Sequence, residues 1–138
     1  MFFVSYIGYI TNPIIGFIGA FIYGILQFVV DPYIFSIPQF LVDYIFAFTV
    51  LGVSSFFRFK KHGLVLGYLA SAFGRLVFAT LSGFLFFGSY AADYNMAPFW
   101  YSLAYNSIYI GAEAIITVII ISIPPINKLL KKYRTLIN

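Results

Sequence analysis

The sequence has no cysteine, one histidine and few charged residues. Of its 138 residues, 9% are charged and 62% are hydrophobic. The absence of cysteine excludes disulfides, thiolate metal sites and a cysteine nucleophile. A soluble domain of this size needs more polar surface than this composition supplies, so the composition indicates an integral membrane protein.

Apolar runs long enough to cross a bilayer follow one another along the chain, since a helical span needs about 20 apolar residues. Turn residues and charges separate these runs, and residues 89–99 read as a loop. We predict helices over about 13–30, 38–57, 64–88 and 100–122, after a partial segment 1–10 and before a basic tail 123–138. The predicted fold is all-α, a polytopic membrane helix bundle with four full spans in a single transmembrane domain, residues 1–138.

Positive charges concentrate in the loop 58–62 and in the C-terminal tail, whereas Asp31 and Asp93 lie in other loops. Loops rich in lysine and arginine stay on the cytoplasmic side of a membrane. We therefore expect a multi-pass protein of the cell membrane, with the loop 58–62 and the tail in the cytoplasm and the two acidic loops outside.

Three charged residues, Asp43, Arg75 and Glu113, lie inside the apolar runs. A charge near the bilayer centre costs roughly 2.5–3.5 kcal/mol on insertion scales, so pairing, water or a bound polar ligand must offset it. This pattern predicts a polar pocket within the bundle. Arg75 has a second interpretation, in which it pairs with Asp43 or Glu113 and touches no ligand.

Hydrogen-bonding side chains share one face of the last predicted span. At about 100° per residue, six of them fall within an arc of about 140°: Tyr101, Ser102, Tyr105, Asn106, Tyr109 and Glu113. The face is either a helix interface held by hydroxyl and amide hydrogen bonds or the wall of a binding site. In another span, Asp43 precedes Tyr44, and a carboxylate beside aromatic rings suits an organic cation.

Four separated strings carry a resemblance to a known family. They are PQFLVDYIFAF from Pro38 to Phe48, Arg75 followed by Ser82-Gly83, FFGSYA from Phe86 to Ala91, and YSLAYN from Tyr101 to Asn106. In their order and spacing they resemble the thiamine-specific substrate-binding component of energy-coupling-factor vitamin transporters. The resemblance extends from about residue 5 onward.

The resemblance implies a six-helix membrane protein that captures thiamine outside the cell and uses no cofactor. It implies docking onto a transmembrane coupling protein that carries two ATP-hydrolysing subunits. From the comparison with that pattern, we expect the chain to begin inside the second helix, without the first helix and the lid loop. The ligand-binding residues implied are Tyr33, Asp43, Tyr44, Phe87, Tyr101 and Asn106, with Arg75 at a basic position near the site. From the polar face of the last span, we add Glu113, Tyr105 and Tyr109 to Arg75 as a supporting network.

Other functions remain open at this point. Asp43, Arg75 and Glu113 are also compatible with an ion- or proton-coupled small carrier or channel, in which they form a relay. An inactive truncated paralogue and a purely structural membrane subunit are further alternatives. We expect neither an enzyme nor a metal or nucleic-acid site, because the single histidine, His62, lies in the basic loop and no nucleophile with its base can be assembled.

Overall fold

A computed structural model describes residues 1–34 and 36–137; Asn138, the end of the predicted tail, lies outside them. The described residues contain helices and no strand, which confirms the all-α prediction. Four of the helices are long and apolar enough to cross a membrane. The protein is therefore a multi-pass membrane protein.

The helices that the structure describes are α1 (Phe2–Ile10), α2 (Pro13–Val30), α3 (Ile37–Phe57), α4 (Gly63–Phe86), α5 (Pro98–Ser122) and α6 (Pro124–Ile137). The four long helices, α2 to α5, begin and end within two residues of the predicted bounds. The predicted loop 89–99 begins instead as a short 3-10 helix, Gly88–Tyr94, which ends at Asn95 in the left-handed conformation.

Side-chain hydrogen bonds cap the N-termini of two of the long helices. The Asn12 side chain accepts a hydrogen bond from the Ile15 amide at 2.9 Å, and Pro13 occupies the first turn of α2. Ser36 accepts in the same way from the Gln39 amide at 3.3 Å at the start of α3. Such caps satisfy amides that have no partner within the helix, so both boundaries follow from local sequence.

Helix α3 is irregular. It contains a π-helical turn, Leu41–Phe46, and its last part, Val50–Phe57, is a 3-10 helix. A π turn inserts an extra residue into the helical repeat and changes the direction of the side chains on either side of it. Asp43 lies within this wider turn.

Small residues let α1, α2 and α3 approach closely. A Cβ at Gly16 would lie 2.9 Å from Gly8 Cα, and Ser54 Oγ donates a hydrogen bond to the Ser5 carbonyl at 2.5 Å. Three small residues at four-residue spacing on α2, Gly16, Ala20 and Gly24, are buried here. This stripe is thus an internal interface of the bundle, where small residues allow the helices to pack closely.

The predicted basic tail is a helix, α6, because its two prolines occupy a helical first turn and do not end the helical structure. It lies against α1 and the loop 58–62: Tyr6 Oη donates to the Leu130 carbonyl at 2.7 Å, and Arg134 donates to the Arg58 carbonyl. Both basic segments therefore lie at one end of the bundle. Tyr33 and Phe87 stack at the other end, with ring centroids 5.9 Å apart.

Candidate functional site

A cavity of about 370 Å³ opens between α3, α4 and α5 at the end of the bundle away from the basic segments. Its lining consists of Tyr33, Asp43, Ala79, Gly83, Phe87, Tyr90, Tyr101, Ser102, Tyr105 and Asn106. The fold thus brings together Tyr33, Asp43, Phe87, Tyr101, Tyr105 and Asn106, which the sequence analysis placed at a site. The size lies within the range of about 300–1,000 Å³ that holds small organic ligands.

Asp43 is the one acidic residue in the cavity lining. Gln39, which is 1% exposed, donates one hydrogen bond from Nε2 to Asp43 Oδ2 at 2.9 Å and another to the Tyr33 carbonyl at 3.0 Å. In the described part of the chain, no cationic side chain pairs with Asp43. The carboxylate is therefore held in place by a neutral donor while its negative charge stays uncompensated.

Aromatic rings form two walls around this carboxylate. Tyr33 stacks on Phe87 with an interplanar angle of 16°, and Tyr101 stacks on Tyr105 with centroids 6.2 Å apart. A hydrogen bond with Tyr90 raises the pKa of Tyr33 above its ordinary value of 10.0. The Tyr33 phenol is thus neutral near pH 7, and both walls present uncharged ring faces, which attract cations.

Polar groups at the base of the cavity fasten α5 to α4. Ser102 Oγ donates to the Thr80 carbonyl at 2.8 Å. Asn106 Nδ2 donates to the carbonyls of Ser102 at 2.9 Å and Ala79 at 3.3 Å. These bonds use the amide NH₂ of Asn106 and leave its Oδ1 as an acceptor toward a ligand. The polar face of α5 is therefore both a helix interface and part of the cavity wall.

Tyr44, unlike Asp43 beside it, lies outside the cavity lining. Its hydroxyl donates to the Asp31 carbonyl at 2.7 Å and accepts from the Tyr33 amide at 3.2 Å, and its ring packs on Phe28 and Phe40. Asp43 thus lines the cavity, while the Tyr44 ring faces Phe28 of α2. Tyr44 thereby links α3 to the segment that carries Asp31 and Tyr33.

A model of the family described as thiamine transporter protein (Thia_YuaJ) matches residues 1–133. The chain belongs to this family. The matched range includes every residue that lines the cavity. A comparison with curated proteins found no match.

The other charged residues of this thiamine transporter family member lie apart from the cavity lining. The Arg75 guanidinium lies 4.6 Å from the Phe48 ring centroid, and Glu113 Oε1 lies 2.9 Å from the Met1 amino group. Within the described residues, no ion pair joins Arg75 to Asp43 or Glu113, contrary to the pairing interpretation. Among the described residues, Asp43, Arg75 and Glu113 thus contact different groups. Tyr109 is exposed and also lies outside the cavity lining.

Four lining residues of this family member are absent from the predicted ligand-binding residues and their supporting network: Ala79, Gly83, Tyr90 and Ser102. Gly83 and Tyr90 occur in the strings that carry the family resemblance, and Ser102 belongs to the polar face of α5. Ala79 precedes Gly83 by four residues, which places both on one face of α4. No cluster of three His, Cys, Asp or Glu side chains that could hold a metal occurs among the described residues.

Replacing Gly83 with alanine is expected to weaken ligand binding. The added Cβ would overlap Ser102 Oγ and lie 3.0 Å from Ser102 Cβ, so the hydrogen bond to Thr80 would be lost at the cavity base. Loss of this bond costs about 0.5–1.5 kcal/mol of stability. Because the displaced Ser102 distorts the cavity wall, we also expect a lower thiamine affinity in isothermal titration calorimetry. The matched control is Gly111→Ala, where the added Cβ meets nothing within 4 Å. Equal affinity of the two variants would contradict the expectation.

Proposed function

We propose that this protein is a membrane-embedded substrate-capture subunit that binds thiamine in the cavity between α3, α4 and α5. Thiamine combines a flat aminopyrimidine with a positively charged thiazolium ring. The proposal rests on family membership and on one observation in particular, the Asp43 carboxylate with no cationic partner among the described residues, in an aromatic cavity of about 370 Å³. A cationic heterocycle supplies the missing charge.

Each wall of the cavity has a part in the proposed binding mode. The paired rings of Tyr33 with Phe87 and of Tyr101 with Tyr105 offer flat faces for the two heterocycles. Asp43 balances the positive charge, and cation–π contacts add about 0.5–2 kcal/mol. Asn106 Oδ1 accepts a hydrogen bond from the pyrimidine amino group, and the Tyr101 hydroxyl pairs with a ring nitrogen. The protein performs no covalent chemistry in this scheme.

The proposed uptake cycle relies on further subunits. In it, the protein docks onto a transmembrane coupling protein that carries two ATP-hydrolysing subunits, as the four sequence strings from Pro38 to Asn106 suggest by resemblance. The basic segments at one end of the bundle support an orientation with that end in the cytoplasm. The cavity then faces the outside of the cell, where the vitamin is captured.

Calorimetric titration of the purified protein in mild detergent tests the binding proposal. The ligands are thiamine and a neutral analogue in which carbon replaces the thiazolium nitrogen. We expect thiamine to bind more tightly by about tenfold or more, since a charge-assisted contact contributes about 1.5–3 kcal/mol. Equal affinity for both compounds would remove the proposed role of the carboxylate, and binding of neither would overturn the proposal.

Uptake of labelled thiamine tests the coupling proposal separately. Cells that lack their own thiamine uptake would express this protein alone or together with coupling and ATP-hydrolysing subunits. We expect accumulation against a gradient only with all subunits, and its loss when the ATP-hydrolysing sites are inactivated. Thiamine-dependent proton flux in liposomes that contain this chain alone would support the carrier alternative instead.

A further inference from the structure

A second concave site lies at the basic end of the bundle, where α5 ends and α6 begins. This cleft has a volume of about 280 Å³, and its lining consists of His62, Leu64, Val65, Ser122, Asn127 and Lys131. Lys131 and His62 bring hydrogen-bond donors to a cleft whose other side is apolar. In the described part of the chain, no carboxylate pairs with Lys131. The cleft is thus suited to an anion attached to an apolar group.

The surroundings of the cleft carry positive charge only. The loop 58–62 contributes Arg58, Lys60 and Lys61, and α6 contributes Lys128, Lys131, Lys132 and Arg134. The sequence has no aspartate or glutamate between residues 44 and 92 or after residue 113. An anionic partner therefore meets no acidic residue of these segments at this end of the bundle.

Apolar side chains next to these charges place the cleft at a membrane surface. Leu129, Tyr133 and Leu136 are at least half exposed and recur at the i, i+4, i+7 spacing that forms one stripe of α6. Phe59, between Arg58 and Lys60, is 82% exposed. An amphipathic helix with lysines beside an apolar stripe lies in the plane of the membrane interface, with the stripe toward the acyl chains.

We propose that the cleft between α6 and the start of α4 binds the headgroup of an anionic phospholipid. The Lys131 ammonium pairs with the phosphate, and Val65 contacts the first carbons of the acyl chains. Leu129, Tyr133, Leu136 and Phe59 anchor the surrounding surface in the same leaflet. The site lies at the opposite end of the bundle from the proposed thiamine cavity and does not depend on it.

Native mass spectrometry of the protein in detergent, titrated with phosphatidylglycerol or phosphatidylcholine, tests the proposal. We expect one phosphatidylglycerol to bind preferentially, and Lys131→Gln to weaken it about fivefold, the factor that one basic side chain contributes near an anionic surface. The matched control is Lys132→Gln, an exposed lysine outside the cleft lining, which should lower the affinity less.

Three outcomes would overturn the lipid site. Equal binding of the two lipids would remove the preference for an anionic headgroup. Equal losses of phosphatidylglycerol affinity in Lys131→Gln and Lys132→Gln would show that the lipid is attracted to surface charge in general and does not bind in the cleft. An increase in Tm with inorganic phosphate as large as that with phosphatidylglycerol would identify a free anion as the ligand. Unchanged Tm of both variants in phosphatidylcholine confirms that the fold is intact.

Discussion

The Asp43→Asn variant is expected to bind thiamine about 10- to 150-fold more weakly than the natural chain, because it removes the one acidic group of the cavity lining. Asparagine has nearly the same shape as aspartate, and its Oδ1 can still accept the hydrogen bond that Gln39 Nε2 donates at 2.9 Å. The substitution thus changes charge and preserves the local fold. Isothermal titration calorimetry measures the loss directly.

Two controls separate a local charge contact from a general effect of charge. Asp31→Asn makes the same change at the same end of the bundle but outside the cavity lining, so it should leave thiamine affinity nearly unchanged. The neutral thiamine analogue should bind the natural protein and Asp43→Asn with similar affinity. If Asp43→Asn weakens thiamine and the neutral analogue equally, Asp43 does not act as a counter-ion.

The Gly24→Ala variant is expected to lose about 1–3 kcal/mol of stability through overpacking. A Cβ at Gly24 would overlap the Tyr44 carbonyl and lie 3.1 Å from Phe48 Cβ. The Tyr44 carbonyl belongs to the π turn of α3 and cannot rotate away as a side chain could, so α2 and α3 must separate. Thermal unfolding in detergent should show a lower Tm.

Gly19→Ala is the matched control on the same helix. The nearest atom to a Cβ at Gly19 is Ile7 Cγ2 at 3.9 Å, an ordinary contact. Alanine is also the better helix former by about 0.5–1 kcal/mol, so this variant should keep or slightly raise the Tm. A similar Tm for Gly24→Ala and Gly19→Ala would mean that the contact between α2 and the Tyr44 carbonyl does not limit stability.

Regular helices with clear ends could be predicted from the sequence. Asn12 with Pro13 marks the start of α2, and along α5 the 3.6-residue repeat places Tyr101, Tyr105 and Asn106 on one face, where the structure has all three at the cavity. Their roles in binding a ligand stay predictions. Local rules were sufficient here because these segments follow the regular geometry that the rules describe.

Features that depend on tertiary contacts could not be predicted. Tyr44 was expected to touch a ligand, but its direction is set by the π turn and by its bonds to Asp31 and Tyr33, which no periodicity encodes. The charge partners of Glu113 and Arg75 depend on which helices become neighbours. Pro124 and Pro125 are compatible both with the end of a helix and with a helical first turn, so the sequence alone does not predict α6.

The π turn changes the direction in which the side chains of α3 point, so two portions of one continuous span face different neighbours. Beyond it, Phe48 and Leu51 join the apolar cluster with Val4 and Ala20, whereas Asp43, inside it, reaches the cavity beside α5. The extra residue corresponds to a rotation of about 100° between the two portions. With Asp43 fixed at the cavity, a uniform α-helix would turn Phe48 and Leu51 by about 100° away from their places beside Val4 and Ala20.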